Sequence, residues 1–576
     1  MAKTTTLALR PFLETVEALC RSMSQEKLVA MLLAWATDIP ASDRAAFLAQ
    51  IRKGESKPKA VPVAEPGYVQ QFLKEIEELE RDICQRVESI EDGSFWDDYH
   101  GDEGYGYDED ADPLSREHKE ELVSCFAEAD RIFLHGSRSD ARTVYGRLFQ
   151  AVKTAAGYDG GWIDIDVDLR ESRARYCRCV YELTTSEERL SAMLEAMEVE
   201  AQGRLFAEGS PRDYPTLHDV IDAQSGQLPD FDDFLSQWTK ALAAKGFMSP
   251  RLAGLRLEAA AIAGGIEALA ALARQWRDKQ PLAYLYWCRQ LSEGGDWSAL
   301  MSAAREALEA LPAGQDRSNV ANFLIEAGEH CQDAMAILEG KRQRFASMPA
   351  SLALLALVGE AERQEVREQE LDWAVSVLNR QRQQAMFDEN LFALTLLMAG
   401  RIEDAFVLAQ KAKPVGWSSG SPAAVMCAAV LFLIGRGRET GLIDSLFKSY
   451  TEGCGIFFHD SVREGESIPD MDQEVRKGLA LISLEAEQLA RYFSWAQSIS
   501  EKRVNHIVSN KHRNAYDRAA HILCALAEAH WIHSGRQEAE SLLREYYQNR
   551  YNRYPAFRKE LKEILGKSSL LRGVKL

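Results

Sequence analysis

The sequence predicts an all-α protein: an α-solenoid of helical hairpins with a small helical module at its N-terminus. Three observations carry this. Strand-type alternation is almost absent, while Ala, Leu, Glu, Arg and Gln dominate the ordered stretches. Glycines at 265, 295, 328, 359, 400 and 435 recur at intervals of 30, 33, 31, 41 and 35 residues, which suits a two-helix unit. After several of these glycines a second helical pattern begins at once with an early alanine.

The elements follow in order. Residues 1–54 read as a small helical module. In it Leu13, Val16, Leu19 and Met23 mark one helix face, and Leu28, Met31, Leu32 and Trp35 another. Ser24 is placed to cap the second helix with Glu26 in its first turn, and Asp43 to cap a helix carrying Phe47 and Ile51. Residues 55–67, with Pro58, Pro62 and Pro66, read as a linker. Helical repeats are expected over 68–222, interrupted by an acidic, Gly-rich loop at 91–113. The solenoid core is expected over 223–470, and further helical repeats with a basic end over 471–576. Softer junctions fall at Gly209 to Pro229 and Gly453 to Pro469.

The repeat signal is concrete. Gly136-Ser-Arg-Ser-Asp-Ala141 is followed by Tyr145 and Leu148 on the same face, and Gly265 to Ala270, Gly294 to Ala299 and Gly400 to Ala405 repeat the pattern. Gly328 to Ala334 is one residue longer and Gly535 to Ala539 one shorter. A left-handed glycine ends the first helix, and a small alanine lets the second pack back closely. These segments resemble the middle of tetratricopeptide repeats, which implies a right-handed solenoid with a concave surface.

A second resemblance rests on both ends and part of the middle. Leu13 to Arg52, with Gln25-Glu-Lys-Leu-Val-Ala-Met-Leu-Leu-Ala-Trp35, is similar to a helical module in bacterial SWIM zinc-finger proteins and their uncharacterised relatives. So is the stretch from Asn514-Ala-Tyr-Asp-Arg-Ala-Ala520 through Gly535 to Leu561. Cys177-Arg-Cys179 matches the first half of that family's Cys-x-Cys and Cys-x-His zinc motif, but no Cys-x-His occurs in the chain. The resemblance therefore implies the helical scaffold without its zinc finger, and no established chemistry.

Composition narrows the function classes. With 576 residues, 46% hydrophobic and 27% charged, the chain is long enough for several folded domains or one repeat array. A formal net charge of −20 disfavours non-specific attraction of the whole surface to nucleic acid or anionic membrane. Met1 to Arg10 lacks the pattern of a secretory signal, and the most apolar windows, 351–358 and 423–434, fall short of the ~20 residues that span a bilayer. The ten cysteines are scattered among helical apolar residues, as reduced thiols are. A cytoplasmic location is expected, with no membrane partner.

No catalytic, cofactor-binding or metal-binding set is assigned. Cys177 and Cys179 lie about 200° apart on a helix, so both thiols cannot face one ion. His530 and His533 share a face, but His521 lies about 180° from His530, and His459 falls in an irregular loop. Asp164, Asp166 and Asp168 occupy the first three ligand positions of a calcium loop, yet Leu169 and Arg175 stand where Gly and Glu are needed. Taken with Gly136-Ser137, the same acids suggest a metal-dependent nucleotidyltransferase-like unit. That alternative requires strands at Arg131 to Leu134 and Trp162 to Val167.

Two segments are candidate contact regions. Glu91 to Asp112 holds ten acids among 22 residues, with Trp96, Tyr99, Tyr105 and Tyr107 among its aromatics. Residues 501–576 carry 15 bases against 8 acids. There Leu543, Tyr547, Tyr551 and Tyr554 are expected on one helical face, with Arg550 and Arg553 on the next and Pro555 ending the helix. The expected function is a non-catalytic bacterial scaffold or adaptor for a protein or peptide partner. Nucleic-acid binding through Arg550 and Arg553 is the binding alternative.

Overall fold

The computed structural model describes residues 9–37, 67–92, 112–156, 165–199, 214–224, 226–383, 387–417, 420–452, 463 and 465–576. The described residues form an all-α, helical-repeat fold without strands. Two compact units divide the chain, Met1–Ala283 and Tyr284–Leu576.

In the first unit, α1 (Leu9–Ser22) and α2 (Gln25–Thr37) are the helices that the apolar spacing predicts. Ser24 Oγ accepts the Lys27 N–H at 3.4 Å as the expected cap. Val16, Leu19 and Trp35 are exposed while Met23, Leu28 and Met31 are half-buried, so the predicted faces are only partly covered by the described residues. The helix expected around Phe47 and Ile51, and residues 55–66 of the linker, lie outside the described residues.

Amphipathic α3 (Tyr68–Glu91) buries Phe72, Ile76, Leu79, Ile83, Val87 and Ile90, a spacing of three and four that lines one helical face. That face shares a core with α4 (Arg116–His135) and α5 (Arg138–Ala156). Next, α6 (Leu169–Leu183) serves two cores. Ala174 and Cys179 join the first of them. Cys177, Val180 and Tyr181 face a second core built with α7 (Arg189–Ala196), α8 (Leu217–Asp222), α9 (Phe231–Lys245) and the start of α10 (Pro250–Trp276). Buried Glu258 of α10 accepts the N–H groups of Leu217 and His218 at 2.8 and 2.7 Å, satisfying the free donors that begin α8. Gly265, at φ +63, breaks α10 into two helical segments at the position predicted for a turn.

The second unit takes in all but the first two residues of α11 (Leu282–Glu293) and continues through α12 (Trp297–Ala310), α13 (Gln315–Cys331), α14 (Ala334–Ser347), α15 (Ser351–Arg363), α16 (Arg367–Gln381), α17 (Glu389–Met398) and α18 (Ile402–Lys411). From α12 to α18 consecutive helices pack on one another. Gly295 and Gly400 are the expected left-handed turns, at φ +70 and +71. Three other periodic glycines are not turns. Gly328 and Gly359 lie inside α13 and α15, where Gln332 and Glu365 take the left-handed turns instead. Gly435 ends a helix, and Gly437 turns. The physical reason is closeness: a β-carbon on Gly328 would lie 2.9 Å from the Ile337 side chain. Ala334, expected to pack back, is exposed, and Ala336 takes that place against Gly328.

The remaining helices are α19 (Pro422–Gly435), α20 (Gly441–Glu452), α21 (Met471–Ala480), α22 (Ala486–Ser509), α23 (Tyr516–His533), α24 (Arg536–Arg544) and α25 (Pro555–Lys567). The apolar run 423–434 is explained by α19, which α18, α20, α22 and α23 enclose. Here the repeat departs from simple nearest-neighbour stacking, because α19 is packed from several sides. At the crossing of α21 and α17 there is no room for a side chain: a β-carbon on Gly478 would lie 2.5 Å from Met398 O and closer still to Leu397 O.

Pro555 does not end a helix. It opens α25, while α24 passes into a π-helical turn over Glu545–Arg550. The wider turn carries Tyr546 and Tyr547 inward together, and Tyr551 and half-buried Tyr554 pack on the same core as Leu543.

Candidate functional site

Trp96, Tyr99, Tyr105 and Tyr107 lie outside the described residues. The end of their acidic stretch is fixed at Asp112, whose carboxylate pairs with Lys119 at 2.6 Å and whose carbonyl accepts the Arg86 Nε–H at 3.0 Å. Arg550 and Arg553 are both exposed. Arg550 lies over the Tyr546 ring, 4.7 Å from its centroid, and donates to the Tyr546 hydroxyl at 3.0 Å. Arg558 covers Tyr547 in the same way at 4.1 Å. The C-terminal bases thus rest on the tyrosines of their own unit.

The acidic triplet is dispersed into ordinary structural roles. Asp168 Oδ1 accepts the Glu171 N–H at 2.9 Å and caps α6. Ile165 and Val167 pack against the first core, Asp166 is exposed, and Asp164 lies outside the described residues. The strand required at Arg131 to Leu134 is instead the last turn of α4, because Ile132 and Phe133 continue that helix's buried face. Residues 165–168 form a turn rather than a strand. Neither element of the nucleotidyltransferase-like alternative therefore stands as required among the described residues.

Cys177 and Cys179 point into different cores, as their angular offset predicts. Burial pushes both thiols up to about 12. Among the described histidines, His521 Nε2 meets Ser445 Oγ at 2.8 Å, and His530 packs edge-on against Phe493. His459 lies outside the described residues. No group of three His, Cys, Asp or Glu side chains among the described residues could hold a metal ion.

The most developed polar site was not singled out by sequence. It lies on α14, where Lys341 and Arg344 are almost fully buried. Glu466, arriving 122 residues after Arg344, places its carboxylate between them. Arg344 Nη1 and Nη2 reach its two oxygens at 2.8 and 3.0 Å, and Lys341 Nζ approaches at 2.9 Å. Asn322 Oδ1 accepts from Arg344 Nη1 at 3.1 Å, and Glu360 stands 3.6 Å from Lys341. Burial alone raises a carboxyl pKa, but here the hydrogen bonds and charges of Arg344 and Lys341 prevail, holding Glu466 at about 2.

The segment that brings Glu466 has no helix or strand from residue 465 to residue 470. Arg463 pairs with Glu329 of α13 at 2.5 Å, and Pro469 seats on Gly359 of α15. Asp470 then caps α21 by accepting the Gln473 N–H at 3.0 Å. Arg463 and residues 465–470 therefore form a strap across three consecutive helices. Its sequence signal was the Lys341-x-x-Arg344 spacing between the apolar Leu338 and Phe345, which places two cations on a largely buried helix.

Set against known protein families and curated proteins, the chain matches no family model and no curated sequence. None of the described helices is long and apolar enough to cross a membrane.

Proposed function

We propose that the chain is a non-catalytic helical-repeat platform that holds an extended segment of a protein partner. The observation that supports this reading is the strap: α13, α14 and α15 already seat a non-helical acidic segment, which turns at Gly465, through a buried carboxylate and a proline. Consecutive antiparallel helices present a groove in which main chain and alternate side chains can be read. The sequence-based expectation of a scaffold or adaptor agrees with this chemistry, and a bacterial, cytoplasmic setting is part of the same proposal.

Selection of a random dodecapeptide library on the full chain tests it. Enrichment of a consensus peptide that binds with a micromolar Kd is expected. Failure to enrich any consensus, on the wild type or on variants with a weakened strap, would overturn the reading. The exposed Arg550 and Arg553 keep nucleic-acid binding as a second reading. It predicts a salt-sensitive affinity for an oligonucleotide that the double charge reversal R550E/R553E removes.

A further inference from the structure

We propose that the Lys341–Arg344 recess is a binding site for an extended acidic peptide of another protein, in the register Glu-x-x-Pro, and that the strap fills it in cis as an internal competitor. This rests on the platform reading above and specifies its ligand.

The first argument is charge. Lys341 and Arg344 are buried with one carboxylate of the helices beside them, Glu360, whose charge Arg363 at the rim also shares. Without Glu466 the recess retains an uncompensated buried cation, a state that strongly favours an incoming anion. The bidentate geometry at Arg344 selects a planar carboxylate.

A second argument is shape. The absent side chain of Gly359 leaves a seat that a proline ring fills: a β-carbon there would lie 2.8 Å from Pro469 Cγ and 2.9 Å from its Cδ. Carboxylate and ring are three residues apart in the strap, so the two seats define a register as well as a charge. Of the intervening residues, Ser467 is exposed and permissive, whereas half-buried Ile468 packs against the core and adds an apolar preference just before the proline.

The third argument is how the strap is held. Apart from its two seats it has Ile468, half-buried against the core, and a rim ion pair, Arg463 with Glu329, in which both side chains are partly exposed; such pairs contribute little. An internal ligand is present at an effective concentration of the order of millimolar. A peptide in trans with the same contacts is therefore masked in the wild type and revealed when the strap is weakened.

The probe is a fluorescent synthetic peptide with the sequence of residues 461–472, titrated into the full chain and read by anisotropy. The strap variant E466Q/P469A should bind it at least tenfold more tightly than wild type. Adding G359A, which obstructs the proline seat, should cancel that gain, and a peptide with Gln in place of the recess-filling Glu should not bind. P469A alone keeps the ion pair and so preserves the fold if the double variant does not; it should bind about threefold more tightly. A folded strap variant that binds the peptide no better than wild type overturns the inference, as does a gain that survives G359A. If that occurs while the library yields a consensus peptide binding elsewhere, the platform reading stands and only this site is lost.

Discussion

The ring of Pro469 occupies the space in which any other residue at position 359 would carry its side chain, with Pro469 Cγ 2.8 Å from where the first carbon of that side chain would be. A residue in the middle of α15 thus decides whether a segment more than a hundred positions later can lie down on it. Gly359→Ala should improve the intrinsic helix preference of α15 by roughly 0.5–1 kcal/mol while displacing the ring. Hydrogen exchange should show faster exchange of the strap amides with α15 still protected. Unchanged strap protection would mean that the contact yields without consequence.

Glu466 should make the second unit acid-sensitive in a defined window. A carboxylate whose folded-state pKa lies below its unfolded value adds stability above the unfolded pKa, and that contribution fades as pH falls through the folded one. For Glu466 the window runs from about pH 4.5 down to about pH 2. At neutral pH E466Q should destabilise by about 3–5 kcal/mol, because two buried cations lose their shared partner. Denaturant unfolding as a function of pH should show the gap between wild type and variant closing across that window. A constant gap would contradict the assignment.

Gly478 and Gly254 should respond oppositely to alanine. At 478 the new carbon would collide with the backbone of Leu397 and Met398, which cannot move as a side-chain tip can. G478A should cost several kcal/mol or prevent folding of the second unit. At 254, within α10, nothing lies within 4 Å, so G254A should stabilise by about 0.5–1 kcal/mol. Thermal melts of the two variants compare them directly.

Thiol labelling should follow burial. Cys177 and Cys179 are buried and their thiols are raised to about 12, so little thiolate exists at neutral pH, whereas Cys331 is exposed. In the native protein a maleimide should modify Cys331 first and the pair only as fast as the first unit opens. Rapid native labelling of Cys177 would refute its placement in the second core of that unit.

Much of the architecture was legible because helices are written locally. The buried face of α3 follows from residue spacing alone, and so do the turns at Gly295 and Gly400. That Cys177 and Cys179 cannot face one ion follows from the angle between them on α6. Gly328 and Gly359 mislead for a physical reason: a glycine that permits a left-handed turn and one that admits a neighbouring helix or ring look identical in sequence. Pro555 misleads similarly, because a proline disfavoured inside a helix is well suited to starting one.

By itself, then, the sequence determined the all-helical class and the absence of strand patterning, since these depend on contacts between residues a few positions apart. Only the tertiary structure decided that Lys341 and Arg344 are buried, that Glu466 neutralises them and that Pro469 rests on Gly359. Those relationships join residues more than a hundred positions apart, and no local pattern records which distant carboxylate will satisfy a buried cation.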